Sequence, residues 1–178
     1  MKNIWDLSRR RFLWLLSAVG LMRAVPPLAS AEAEKPALGY RVLTRHQVAT
    51  LEAIAEQIIP ADSDPGARDV GAVVYIDRVL SGEQRSRLPL YTASLAGADE
   101  TSQAMFQKRF VALAFDQQTA VLKAIESGKS PGAAWKKVSS AQFFSTVWLH
   151  VLEGFYGSPS HGGNKNYASW KMVGFPEH

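Results

Sequence analysis

The sequence contains no cysteine. This absence excludes disulfide bonds, thiolate-bound iron–sulfur clusters, covalently attached c-type haem and a cysteine nucleophile. Three patterns of catalytic chemistry are missing as well: the phosphate loop that ends in Gly-Lys-Ser/Thr, the dinucleotide fingerprint that follows a strand, and the Gly-x-Ser-x-Gly elbow. No catalytic residue is therefore predicted in this chain.

A surplus of one charge sign is also missing once the N-terminus is set aside. The whole chain carries a formal net charge of +4. Residues 1–31 contain five of the twenty basic and one of the sixteen acidic residues, so the remaining residues contain fifteen of each. A neutral remainder gives no support for nucleic-acid binding, and it favours association with other proteins.

The N-terminal residues have the pattern of an export signal. Three arginines at 9–11 precede an apolar run over 12–22, and residues 29–31 read Ala-Ser-Ala, a small-x-small cleavage pattern. The apolar run is about half the length of a membrane-spanning helix. We therefore predict a signal peptide over residues 1–31, with residues 32–43 as a linker and residues 44–178 as the folded domain.

The details of this signal favour the twin-arginine export route. Arg9 and Arg10, followed by Phe12 and Leu13, match the twin-arginine form. Arg23, between the apolar run and the cleavage pattern, is unusual for general secretion; the alternative is an arginine-rich secretory signal. Since the twin-arginine route carries folded proteins, this chain or its passenger is expected to fold in the cytoplasm.

Apolar residues recur at helical spacing, and no pair of alternating strands with a hairpin turn is visible. The sequence predicts an all-α fold: a single small domain of about five or six helices with an irregular C-terminal tail. Helices are predicted from a Thr44–Gln47 capping box to Pro60, from Asp69 to Gly82, over 88–96, from Asp116 as cap to Gly128, and from Ser139 or Ser140 through Phe155.

The segment 154–176 is the most unusual part of the chain, with five glycines, two prolines and five aromatic residues. Within the last helix, the spacing 144–148–151–155 predicts core packing, while aromatic residues on more than one face suggest extra area for a partner. Tyr167, Trp170 and Phe175 lie beyond any regular helical stripe. From residue types alone, they either fold back onto the core or cover a partner.

A metal site is the alternative use of this region. His150 and Glu153 lie three residues apart on a predicted helix, and His161 follows in the tail. Two imidazoles and a carboxylate are suitable transition-metal ligands. The paired-histidine spacing of zinc sites is absent, which favours a structural role for these residues and predicts no metal.

Two stretches resemble a known family. They are Ile58-Ile59-Pro60-Ala61-Asp62 and the run from Glu153 to Pro176, "EGFYGSPSHGGNKNYASWKMVGFP". Behind a twin-arginine signal, they resemble the small subunit (subunit 3, or gamma) of membrane-bound gluconate 2-dehydrogenase and of related flavin dehydrogenases for sugars and sugar acids.

The resemblance implies a division of labour between three subunits. A large flavoprotein with FAD, with or without an iron–sulfur cluster, oxidises the substrate, and a multihaem cytochrome c subunit with haem c passes electrons to the membrane. The small subunit would hold no cofactor, would bind the flavoprotein and support its maturation, and would carry it through the twin-arginine translocase to the periplasm, at the inner membrane. The residues expected to contact the partner are Phe155, Tyr156, Asn164, Tyr167, Trp170 and Phe175.

Overall fold

The computed structural model describes residues 34–176, and the fold is described for that range. The predicted signal, with Arg9, Arg10, Phe12 and Leu13, lies outside the described residues. In residues 34–176 the chain forms six α-helices and five single-turn 3₁₀ segments, and no β-strand. None of these helices is long and apolar enough to cross a membrane.

The predicted all-α fold is confirmed, with helix boundaries that differ in places from the prediction. In chain order the helices are α1 (Arg45–Ile58), α2 (Ala72–Ser81), α3 (Leu88–Phe106), α4 (Phe115–Glu126), α5 (Ser140–Tyr156) and α6 (Ala168–Val173). Helix α6 lies within the tail that the sequence predicts to be irregular, and two 3₁₀ turns precede it.

Helix α1 begins and ends where its sequence predicts. The hydroxyl of Thr44 accepts a hydrogen bond from the N–H of Gln47, and Oε1 of Gln47 accepts one from the N–H of Thr44 at 2.9 Å. This capping box pairs two N–H groups that no helical carbonyl can reach. The helix ends at Ile58, and its C-cap Ile59 directly precedes Pro60, which has no N–H with which to continue it. On its inner face Leu51 is fully buried.

Helix α3 has 19 residues and is longer than the predicted segment 88–96. Its second half buries Thr101 and Ser102, so it lacks an apolar stripe. The two hydroxyls donate to the carbonyl oxygens of Gly97 and Ala98, one turn earlier, at 2.8 and 2.7 Å. Because these hydroxyls are paired within the helix, they are buried without an unsatisfied group.

The starts of α4 and α5 depend on single polar side chains. Helix α4 begins at Phe115 with Ala114 at the N-cap, so the prediction of Asp116 as the cap is wrong. Oε1 of Gln117 accepts the N–H of Ala114 at 3.1 Å, and Asp116 lies inside the first turn, two residues after the N-cap. Helix α5 is capped by Ser139, one of the two predicted candidates.

Helix α5 crosses α2 at a glycine. An added Cβ at Gly154 would lie 2.8 Å from the carbonyl oxygen of Ala72 and 3.2 Å from Cβ of Tyr75. The two backbones are therefore as close as only a glycine allows. This crossing determines which side of α5 faces inward, where Phe143 and Val147 are fully buried.

A buried carboxylate on α2 holds the segment that precedes α1. Asp77 is 1% exposed. Its Oδ2 accepts the N–H of Arg41 at 2.6 Å, and its Oδ1 accepts the N–H groups of Val42 and Leu43, both at 3.0 Å. These charge-assisted hydrogen bonds replace the water that the carboxylate loses on burial. The end of the stretch predicted as a linker (32–43) is thus attached to α2.

Candidate partner-binding surface

Asn164 ties the tail to the end of α5. Its N–H donates to the carbonyl oxygen of Gly154 at 2.9 Å, and its Nδ2 donates to that of Gly157 at 3.0 Å. Its Oδ1 accepts the N–H of Ser169 at 2.9 Å. Asn164 is fully buried. The expectation that it contacts a partner is therefore corrected, since its amide is used inside the chain.

Close backbone contacts fix the tail against two parts of the fold. An added Cβ at Gly163 would overlap sterically with the carbonyl oxygen of Gly154, so this contact requires a glycine. The N–H of Lys165 donates to the carbonyl oxygen of Val70, just before α2, at 3.0 Å. Asn166 then turns the chain with a φ of 59°, in the left-handed region. The tail is consequently a docked element of the domain.

Phe155 belongs to the core. Its side chain is fully buried, and its carbonyl oxygen accepts the hydroxyl of Ser169 at 2.5 Å. The expectation that Phe155 contacts a partner is corrected for this reason. The ring of the next residue, Tyr156, meets Phe155 edge to face at 4.8 Å between centroids, and 46% of Tyr156 remains exposed.

The other four predicted partner-binding residues lie together. The indole Nε1 of Trp170 donates to the carbonyl oxygen of Tyr156 at 2.7 Å. The ring centroid of Trp170 lies 5.5 Å from that of Tyr167 and 4.8 Å from that of Phe175. Tyr156 and Phe175 are about half exposed, and Tyr167 and Trp170 are partly buried. We call these four residues the tail surface; their contact with a partner stays a prediction.

The outer side of α5 carries apolar residues that the sequence spacing assigns to the core. Trp148 is 47% exposed and Leu149 is 49% exposed. The spacing 144–148–151–155 places Trp148 on the inner stripe. Because Gly154 is the residue that faces α2, the helix is rotated and Trp148 turns outward. The apolar spacing 143–147–151–155 is equally visible in the sequence, and these four residues are the ones that are fully buried.

His150 has internal partners on both of its ring nitrogens. Nδ1 lies 2.7 Å from the hydroxyl of Tyr91, and Nε2 lies 3.1 Å from Oε1 of Gln84. The amide oxygen of Gln84 only accepts, so Nε2 carries the proton and Nδ1 accepts from Tyr91. His150 is 2% exposed, and burial lowers its pKa.

The proposed metal ligands do not come together. Glu153 accepts a hydrogen bond from the hydroxyl of Tyr75 at 2.8 Å. Burial, as the larger cause, and this hydrogen bond together raise the pKa of Tyr75 to about 12. His161 is exposed in the turn after α5. In the described part of the chain no three His, Asp or Glu side chains are placed to hold a metal ion. The geometry therefore does not support a metal site at His150, Glu153 and His161.

The lowered pKa of His150 predicts a pH-dependent stability. As the pH falls below about 6.5, the unfolded chain takes up a proton that the buried imidazole of the folded chain resists. The free energy of unfolding should therefore decrease as the pH falls from 7 towards 5. Melting temperatures measured over this range should fall more steeply for the wild type than for His150→Gln, which has no titrating ring. Parallel curves would contradict this assignment.

The described residues thus form an all-α domain whose docked tail carries a half-exposed aromatic surface. Residues 45–176 match the family model described as gluconate 2-dehydrogenase subunit 3, and the chain belongs to this family. The family assignment from the sequence is thereby confirmed, and it makes the chain a subunit of a dehydrogenase complex. No curated protein and no solved structure matched the chain.

Proposed function

We propose that this chain is the non-catalytic small subunit of a periplasmic, membrane-bound FAD-dependent dehydrogenase complex. It binds the flavoprotein large subunit, supports its maturation and carries it through the twin-arginine translocase. The observation that carries this proposal is the family match over residues 45–176. The tail surface is consistent with it, because exposed aromatic groups on a fixed backbone are typical of binding surfaces.

In this proposal the redox chemistry belongs to other chains. The large subunit holds FAD, with or without an iron–sulfur cluster, and the multihaem cytochrome c subunit holds haem c and transfers electrons to the membrane. This chain holds no cofactor. The complex lies at the periplasmic side of the inner membrane, and the signal over residues 1–31 supplies the export address for both this chain and its passenger.

The export role is tested by removing the twin-arginine signal in the full chain. With Arg9→Lys and Arg10→Lys together, we expect the co-expressed flavoprotein to stay in the cytoplasm, because the translocase reads the arginine pair. Flavoprotein and FAD are measured in periplasmic and cytoplasmic fractions. Lys136→Arg with Lys137→Arg, both exposed, is the matched control. Normal periplasmic flavoprotein with the lysine pair would refute the export role.

A further inference from the structure

The outer side of α5 is apolar along most of the helix. We call this surface the outer stripe; on a helical wheel it occupies one arc that adjoins the buried residues. Helix α5 contains no lysine or arginine and one acidic residue, Glu153, which pairs with Tyr75. The outer stripe therefore carries no charge. Its members are Phe144, Ser145, Trp148, Leu149, Leu152 and Tyr156.

A groove runs beside the outer stripe, between α1, α4 and α5. Its volume is about 210 Å³, and its apolar lining comes from Ile58, Leu122 and Phe144, with Trp148 at the edge. Its polar lining comes from Gln57, Thr119, Lys123 and Glu126. A wider depression of about 590 Å³ continues along the outer stripe. It is lined by Phe144, Ser145, Trp148 and Leu149 of α5 and by Glu126 of α4. The surface is thus concave beside a projecting aromatic side chain, a shape in which interface hot spots occur.

The outer stripe is continuous with the tail surface. Tyr156 belongs to both, and its carbonyl oxygen accepts the indole N–H of Trp170, which in turn contacts Phe175. Trp148, Tyr156 and Phe175 are each about half exposed, as is Leu149. With 150–250 Å² for a whole aromatic side chain, these four residues expose roughly 300–400 Å² of apolar area.

This exposed area is of the size that the largest apolar patch of a single chain usually has. It is comparable to the largest apolar patch of a typical monomer, about 300–600 Å². It is also about half of the roughly 800 Å² that one partner buries in a standard interface. The polar residues around it can supply the remaining area, so one partner that covers both surfaces reaches the size of a stable interface.

We infer that the outer stripe, its groove and the tail surface form one docking site for an uncharged, apolar face of the flavoprotein large subunit. This inference rests on the proposed function. The stripe has no charged side chain of its own, and the groove contributes one charge of each sign, Lys123 and Glu126, so the site has no net charge to attract a charged partner face. The family name implies a complex with other subunits, and under the proposed function the flavoprotein is the subunit that this chain binds, so it is taken as the occupant in place of a second copy.

The test introduces one charge into the outer stripe without removing a core group. Leu149→Arg and Ser145→Arg both place a guanidinium at exposed positions of α5. Ala96→Arg places the same group at an exposed position of α3 and is the matched control. Each full-length variant is co-expressed with the large and cytochrome subunits, captured by a tag on this chain, and assayed for flavoprotein, cytochrome and its own melting temperature.

We expect the amount of flavoprotein captured by the two outer-stripe variants to be at least about tenfold lower than with the control, since burying a guanidinium against an apolar partner face costs more than the 1.4 kcal/mol of one decade. Their melting temperatures should stay close to that of Ala96→Arg. If they retain as much flavoprotein as the control, the docking site is wrong. Loss of only the cytochrome subunit, or of only self-association in sedimentation, overturns it too. If the wild type itself captures no flavoprotein, the proposed function fails instead.

Discussion

Replacing Asp77 with alanine should lower the free energy of unfolding by about 3 kcal/mol or more, because three backbone N–H groups lose their acceptor at once. The donors are those of Arg41, Val42 and Leu43, at 2.6 to 3.0 Å from the carboxylate. Leu43 is fully buried, so its N–H cannot turn to water in the folded chain. For a domain of this size the melting temperature should fall by roughly 6–12 °C.

Urea denaturation measures this loss, and hydrogen exchange locates it. In Asp77→Ala the exchange rates of the amides of residues 41–43 should increase strongly. The exchange rates of the α3 amides should increase less. Asp77→Asn is the matched control: its amide oxygen can still accept two of the three hydrogen bonds, so an intermediate loss is expected. If the free energy of unfolding of Asp77→Ala lay within about 1 kcal/mol of the wild-type value, the three hydrogen bonds to Asp77 would contribute little to stability.

Gly163→Ala should release the tail from α5. The added methyl group would overlap the carbonyl oxygen of Gly154, and this atom belongs to helix backbone that cannot move aside. The hydrogen bonds of Asn164 to Gly154 and of Lys165 to Val70 should be lost with it. We expect a stability loss at the upper end of overpacking costs, about 3 kcal/mol or more, and reduced binding of the flavoprotein.

Gly174→Ala separates this contact from the general effect of substituting a tail glycine. Gly174 has a φ of 69°, but no atom lies within 4 Å of its added Cβ. Its cost is backbone strain alone, about 1–2 kcal/mol. Thermal unfolding and fluorescence of the tail tryptophan compare the two variants. Equal stability of Gly163→Ala and Gly174→Ala would contradict the close contact.

The sequence predicts those parts of the fold that depend on local chemistry. The capping box at Thr44 and Gln47, the stop at Pro60 and the cap at Ser139 each act within a few residues, so their patterns are visible in the chain. The second half of α3 is missed because its polar residue types are typical of loops. The hydroxyls of Thr101 and Ser102 are instead paired with carbonyl oxygens one turn earlier in the helix.

The missed parts depend on contacts between distant residues. Helix α5 has two apolar spacings, 144–148–151–155 and 143–147–151–155, and the contact of Gly154 with α2 shows that the second one faces inward. Asn164 looks like a surface residue by type, yet it is the internal tie of the tail. Asp77 likewise gives no sign in the sequence that it holds residues more than thirty positions earlier. Composition therefore identifies the tail as special but does not separate its exposed aromatics from its buried ones.

The tie between Lys165 and Val70 has a consequence for the order of events during synthesis. A ribosome makes Val70, α2 and α5 before it makes the residues that dock against them. The carbonyl oxygens of Val70 and Gly154 therefore lack their hydrogen-bond donors, the N–H groups of Lys165 and Asn164, until the tail has been synthesised. A nascent chain can form most of its helices early, but it acquires the tail surface only when Trp170 and Phe175 have left the ribosome. Recognition that requires this surface is thereby restricted to chains that have been synthesised beyond Phe175.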